Sequence, residues 1–173
     1  PCLSGRLEAG DLRTMSRDIT LSATITRIAL LAGIYAALTV LPPFSSLGYG
    51  PVQVRVSETL TVLPFLFPWA KWGLYIGCIV ANLASPFLVW DITLGALASL
   101  ISGLITERMP NAYLAPLPPV LVNAFVVTAY VAPLSGLNYW PVLAQILLGQ
   151  VVSCYVFGLP LLMFLIRNPH LTR

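Results

Sequence analysis

Charge is what this chain has least of. Of its 173 residues 9% are Asp, Glu, Lys or Arg, where soluble globular chains carry about 25%. That deficit, with 58% hydrophobic residues and a mean hydropathy of +0.88, excludes a water-soluble domain. Histidine is nearly absent: the single His170 lies three residues from the end, so no Ser/His or Cys/His constellation and no His/Cys/Asp metal cluster can assemble around it. Cys2, Cys78 and Cys154 are scattered, with no CxxC spacing, and read as small apolar packing residues. No GxxxxGK[ST] phosphate loop occurs, so the chain has no nucleotide site of that type to energise work. Basic residues form no stripe interleaved with aromatics, which removes nucleic acid as a partner. These absences leave no catalytic constellation and no cofactor to assign, so an enzyme is not expected.

What is present is a set of long uncharged runs. Residues 28–54, 72–90 and 109–166 contain no charge, giving stretches of 27, 19 and 58 residues. A spanning helix needs roughly 20 apolar residues. The expected fold is therefore an all-α polytopic membrane protein embedded in lipid, with six transmembrane helices. The first runs from about Thr24 to Leu41, and the second from Pro51 to Phe67 with a kink at Pro64. The third spans Ala70–Ala84, the fourth Asp91–Glu107, and the fifth Pro118–Ala132. The sixth spans Pro141–Ile166, with bends at Gly158 and Pro160. Residues 1–20 read as a polar, partly disordered N-terminal extension ahead of a membrane domain at 21–168, and 169–173 as a short tail.

Orientation follows from basic residues, which favour the cytoplasmic side. Arg6, Arg13, Arg17 and Arg27 precede the first helix, Lys71 and Arg108 fall in the second and fourth loops, and Arg167 and Arg173 follow the last helix. The three opposite loops carry no Lys or Arg. Both termini are thus expected in the cytoplasm, in a multi-pass protein of the cell membrane. The ninth basic residue, Arg55, falls near the outer end of the second helix, with Glu58 one turn deeper. Residues three apart share a helix face, and ionisable groups at such depth mark function by default.

The same bookkeeping gathers other polar groups in the outer half: Gln53 beside Arg55 and Glu58, Asn82, Trp90 and Asp91, Asn123, and Gln150 lower down. Each has a structural alternative. Arg55 and Glu58 can pair across helices, Asp91 can cap its helix, the amides can cross-link neighbours, and Trp90 can belong to an interfacial belt. In the first helix Ala29, Ala32 and Ala36 belong to a small-residue face that suits close helix approach, either within the chain or against another membrane subunit.

The run PVQVRVSETLTVLP at 51–64, GLYIGCIVANL at 73–83, WDITLGALASL at 90–100, LPPVLVNAFVV at 117–127 and GQVVSCYVFGLPL at 149–161 together resemble the queuosine-precursor transporter family. These are substrate-binding (S) subunits of energy-coupling-factor (ECF) importers. The resemblance spans about residues 24–166. It implies a six-helix S component that captures a 7-deazaguanine such as preQ0 or preQ1 in a pocket opening outward. Its implied partners are a transmembrane coupling subunit and two ATPase subunits, and Ala32 and Ala36 would meet the coupling subunit. One position departs: the family pattern has Gly-Glu where this chain has Gly149-Gln150, and a carboxylate there would pair with a cationic aminomethyl group.

A deazaguanine edge offers N–H donors that a carboxylate accepts in bidentate fashion, and a carbonyl that Arg or an amide reaches. Glu58 or Asp91 is the expected acceptor of that edge. Arg55 would meet the carbonyl or orient Glu58, with Asn82, Asn123 and Gln150 as selectors and Trp90 as stacking platform. The competing readings are a self-sufficient proton-coupled carrier using Glu58 or Asp91, and a structural membrane subunit without a ligand.

Overall fold

The computed structural model describes residues 21–41, 55–168 and 170. The N-terminal extension 1–20 and Gln53 lie outside the described residues. Among those described, the chain is entirely helical. Six helical segments follow one another. They are α1 (Leu21–Val40), a 3₁₀ segment (Val56–Phe65), α2 (Ala70–Ala81), α3 (Leu88–Thr106), α4 (Leu117–Leu134) and α5 (Tyr139–Arg167). Four of them, α1, α3, α5 and α4 with its preceding turn from Ala112, are long and apolar enough to cross a membrane. The 3₁₀ segment and α2, of 10 and 12 residues, fall short of that length.

The second expected α-helix, kinked at Pro64, is instead wound as 3₁₀ throughout Val56–Phe65. Two causes act together. Val56, Ser57, Thr59, Thr61 and Val62 are poor α-formers, and an α-helical Pro64 would drive its ring into the carbonyl of Leu60. At about 2.0 Å per residue, ten 3₁₀ residues reach about 20 Å, farther than the same number in an α-helix. With three residues per turn the segment also has three straight edges. Glu58, Thr61 and Pro64 share one, which runs from the polar interior to α3, where Pro64 approaches Gly103. Thr59, Val62 and Phe65 share the second. Thr59 donates to the Ser153 carbonyl on α5 at 3.2 Å, and Val62 and Phe65 pack with Leu162. Ser57, Leu60 and Leu63 share the third, against α1 and α2: Ser57 meets Thr39 at 2.8 Å, and Leu63 joins Leu31, Tyr35 and Leu74. The segment is thus a central strut touching every side of the bundle.

Two further departures from α geometry lie in the bundle. α3 opens with π winding over Asp91–Gly95, and α5 widens to π over Val152–Gly158 before Pro160 restarts an α-helix at Leu159–Arg167. Of the two expected bend points, Gly158 ends the π winding and Pro160 lies in the first turn of the α-helix that follows. At the end of the bundle opposite the polar cluster, Lys71 pairs with Glu107 at 2.6 Å, and Thr106 donates to the Ala115 carbonyl at 3.3 Å.

The tightest helix contact is α1 on α2. A Cβ on Gly77 would stand 2.9 Å from the Tyr35 Cβ and 3.0 Å from the Ala32 carbonyl oxygen. Ala32 is accordingly buried and belongs to internal packing rather than to a free docking face. Ala36 is half-buried against the same cluster, while Ala29 and Gly33 stay outside with open space around Gly33. Gly77→Ala is expected to lower unfolding free energy by about 1–3 kcal/mol through overpacking. Gly33→Ala should be neutral or up to about 1 kcal/mol stabilising. Thermal unfolding of both variants in detergent tests this, and equal behaviour would contradict the packing described.

Candidate ligand-binding site

Glu58 is the centre of the polar interior. Its side chain is 3% exposed. Tyr35 of α1 donates its hydroxyl to Oε1 at 2.6 Å, and Asn123 of α4 donates its amide to Oε2 at 3.0 Å. The backbone carbonyl of Glu58 accepts from Thr61 at 2.6 Å and from the Cys154 thiol of α5 at 3.6 Å. Gln150, one helical turn before Cys154, accepts from the same thiol at 3.7 Å.

Arg55 does not pair directly with Glu58. The ion pairs among the described residues are Lys71–Glu107 and Arg108–Glu107. Arg55 sits in extended backbone ahead of the 3₁₀ segment, and its guanidinium donates to Asn82 Oδ1 at 3.3 Å. Asn82 caps the C-terminal end of α2, where the helix dipole favours a cation. That attraction, with the geometry of the entering chain, draws Arg55 sideways. Asn82 also donates to Cys78 Sγ at 3.2 Å.

Asp91 forms a second polar centre. It is 4% exposed and begins the π winding of α3. Its two carboxylate oxygens accept separate hydroxyls, one from Ser85 in the turn before α3 and one from Tyr130 of α4. The Phe87 N–H donates to Ser85 Oγ at 3.2 Å, so the turn at 85–87 is fastened to Asp91.

These groups border two neighbouring chambers. The inner one is narrow, with room for about one water, and is lined by Arg55, Glu58, Asn123, Tyr130 and Gln150, with Gly95, Ser99 and Cys78 as its small-residue wall. The outer one, ≈ 610 Å³ including open space, is lined by Arg55, Ser85, Phe87, Asp91, Val127 and Val131. Arg55 and Val127 belong to both and form the boundary. Asn123 Oδ1 is buried with no hydrogen-bond partner while its amide nitrogen is held by Glu58. Buried acceptors are nearly always satisfied, so this oxygen, on a residue that lines the inner chamber, is an exception among the buried polar groups.

The structure places Arg55, Glu58, Asn123 and Gln150 on the inner chamber and Arg55 and Asp91 on the outer one, with Asn82 bonded to Arg55. Trp90 lines neither chamber. Its ring is 45% exposed and stacks on Tyr130 with centroids 6.4 Å apart, in an apolar groove with Leu94, Pro133 and Leu134. Tyr130 lines both that groove and the inner chamber. Sequence reasoning missed Tyr35, Tyr130, Ser85, Cys78 and Ser99. A signal existed for Tyr35: a tyrosine deep in an apolar helix, away from the interfacial belt, needs a partner for its hydroxyl. Tyr130, close to the helix end at Leu134, reads as an ordinary belt residue.

Four membrane-length helices with a partly charged cavity among them fit a membrane protein. A family model described as QueT transporter matches residues 25–167, and the chain belongs to that family. It is also 38% identical over 77 residues to the queuosine precursor transporter QueT of Lactococcus lactis subsp. cremoris (strain MG1363). That alignment covers 44% of this chain and 45% of the relative, so it spans less than half of either protein. No solved structure matches the chain.

Tyr35→Phe removes a donor to a buried carboxylate and is expected to cost about 1–2 kcal/mol of unfolding free energy. Combined with Asn123→Ala, the loss should differ from the sum of the single losses, because both donors serve one carboxylate. A double-mutant cycle on detergent-purified protein checks this, and strict additivity would contradict the shared network.

Proposed function

We propose that this protein is the substrate-binding membrane subunit of an ECF-type importer, capturing a queuosine precursor of the 7-deazaguanine class. Its setting is the plasma membrane, crossed six times with both termini in the cytoplasm. In that arrangement the 3₁₀ segment and α2 cross as shortened spans that rely on their neighbours and on local thinning of the bilayer. The outer chamber is lined by Ser85, Pro86 and Phe87, in a loop without Lys or Arg, which supports an outward-facing pocket.

The observation that carries the substrate reading is the unpartnered Asn123 Oδ1 beside the Glu58 carboxylate in a narrow cavity. Adjacent acceptors match the adjacent N–H donors of a guanine-type edge. Gln150 and Arg55 can donate to its carbonyl. Tyr130, rather than Trp90, is the aromatic on the cavity wall. Transport work would come from partner chains, a coupling subunit and two ATPases. Docking would use the side of α1 that remains outside, Ala29 and Gly33 with Ala36 at its edge. Ala32 supports that surface from within.

A second reading is favoured by the pair of buried carboxylates, Glu58 and Asp91: a self-contained proton-coupled carrier. The two differ in their requirement for partners. In proteoliposomes the importer subunit binds ligand alone yet moves it only with the coupling and ATPase subunits and ATP. Uptake by the chain alone, driven by a pH gradient, would establish the carrier instead.

Calorimetry of purified protein against 7-deazaguanines, guanine and common vitamins is expected to give binding for the deazaguanines alone. Glu58→Ala should weaken it by about 100-fold or more through loss of a charge-assisted acceptor. No binding of any deazaguanine would overturn the substrate assignment. Ala29→Leu with Gly33→Leu should spare binding but prevent co-purification with the coupling subunit, and intact assembly would remove the docking face.

A further inference from the structure

The inner chamber fits one small molecule in both size and chemistry. It has room for about one water. Buried cavities with apolar walls stay dry, whereas those on which two to four polar groups converge hold a water. This one is bordered by Arg55, Glu58, Ser99, Asn123, Tyr130 and Gln150.

The hydrogen bonds around the chamber leave a matching set of positions. Asn123 is 3% exposed, gives its amide to Glu58 Oε2 and keeps Oδ1 without a partner. Tyr130 donates its hydroxyl proton to Asp91, which leaves the phenol oxygen able to accept. Gln150 Oε1 accepts from the Cys154 thiol, which leaves the amide nitrogen of Gln150 to donate. Two acceptors and one donor satisfy a water with three hydrogen bonds, the usual number for a buried one. Asn123 and Tyr130 are seven residues apart on α4, two turns along one face. Gln150 comes from α5, which packs against α4 through Tyr130 and Ile146. A bare cation suits the chamber poorly, because the Arg55 guanidinium borders it and both Glu58 oxygens already accept protein donors.

We propose that the inner chamber is a binding site for one ordered water, which donates to Asn123 Oδ1 and to the Tyr130 hydroxyl oxygen and accepts from the Gln150 amide. That water joins two networks that are otherwise separate. Glu58, Asn123, the water, Tyr130 and Asp91 then form one line of hydrogen bonds from the centre of the bundle to the wall of the outer chamber. The site belongs to the ligand-free protein and stands apart from the identity of the substrate. A ligand whose donor reaches Asn123 Oδ1 has to displace this water first.

The test is a crystal structure of the ligand-free protein at a resolution that shows ordered waters. A single peak is expected in the inner chamber, at about 2.7–3.0 Å from Asn123 Oδ1. An empty chamber overturns the proposal, as does an Asn123 Oδ1 bonded to a protein donor. A peak ringed by oxygens at about 2.3–2.6 Å, the distances of a bound cation, overturns it too. Gly95→Ala supplies a second readout, because its Cβ would stand 3.2 Å from the Tyr130 hydroxyl oxygen and compete for the water's position. The variant should lose the peak, and oxygen-17 relaxation dispersion should count one long-lived internal water fewer than in the wild type. An unchanged peak and count overturn the placement beside Tyr130. Where Gly95→Ala does not fold, the wild-type map decides alone.

Discussion

The burial of the Glu58 carboxylate is the constraint on which the rest of the structure depends. An ionisable acid inside a membrane bundle is tolerated only where donors surround it. Here the donors come from different parts of the chain: Tyr35 on α1 and Asn123 on α4 at the carboxylate, and Thr61 and Cys154 at the backbone carbonyl. Satisfying one acid therefore draws α1, the 3₁₀ segment, α4 and α5 together. The small residues allow it. Gly77 lets α1 close on α2 at Tyr35, and Gly158 lets α5 close on Thr59 and Val62.

The polar interior coincides with the irregular winding. The tight segment carries Glu58, one wide turn carries Asp91, and the other carries Ser153 and Cys154. Non-α windings change the angular step between residues, so they aim inward side chains that a regular helix would distribute around its axis. Such turns recur at functional sites in other proteins. Here the same geometry separates the two acids. Glu58 is held at the heart of the bundle, while Asp91 fastens the turn at 85–87 and borders the outer chamber.

Much of the site was legible in the residues. A chain that excludes charge makes each remaining ionisable or amide side chain informative, which is why Arg55, Glu58, Asn82, Asp91, Asn123 and Gln150 could be singled out by type and depth. Spacing also put Arg55 and Glu58 on one helix face, but Arg55 lies in extended backbone just ahead of the 3₁₀ segment that carries Glu58. Spacing could not show that Arg55 turns away to Asn82, because that depends on the end of α2 lying beside the start of the 3₁₀ segment. Trp90 failed as a stacking platform for a related reason. It lies against Tyr130 in the apolar groove, and which of two adjacent side chains faces a cavity is set by how the helix sits on its neighbours.

The residues alone determined the environment, the helical class and the roster of polar groups, because the cost of exposing polar groups to lipid acts on composition whatever the packing. The family motifs sharpened that into an expectation about the ligand. Only the tertiary structure decided partnership. It gave Glu58 to Tyr35 and Asn123 and gave Asp91 to Ser85 and Tyr130. It enclosed Ala32 while leaving Ala29 and Gly33 outside, and it put the two acids in separate chambers. Hydroxyls and thiols such as Tyr35, Tyr130 and Cys78 are common in apolar helices for packing alone. They acquire a role through what stands opposite them, and that is fixed by contacts between segments far apart in the chain.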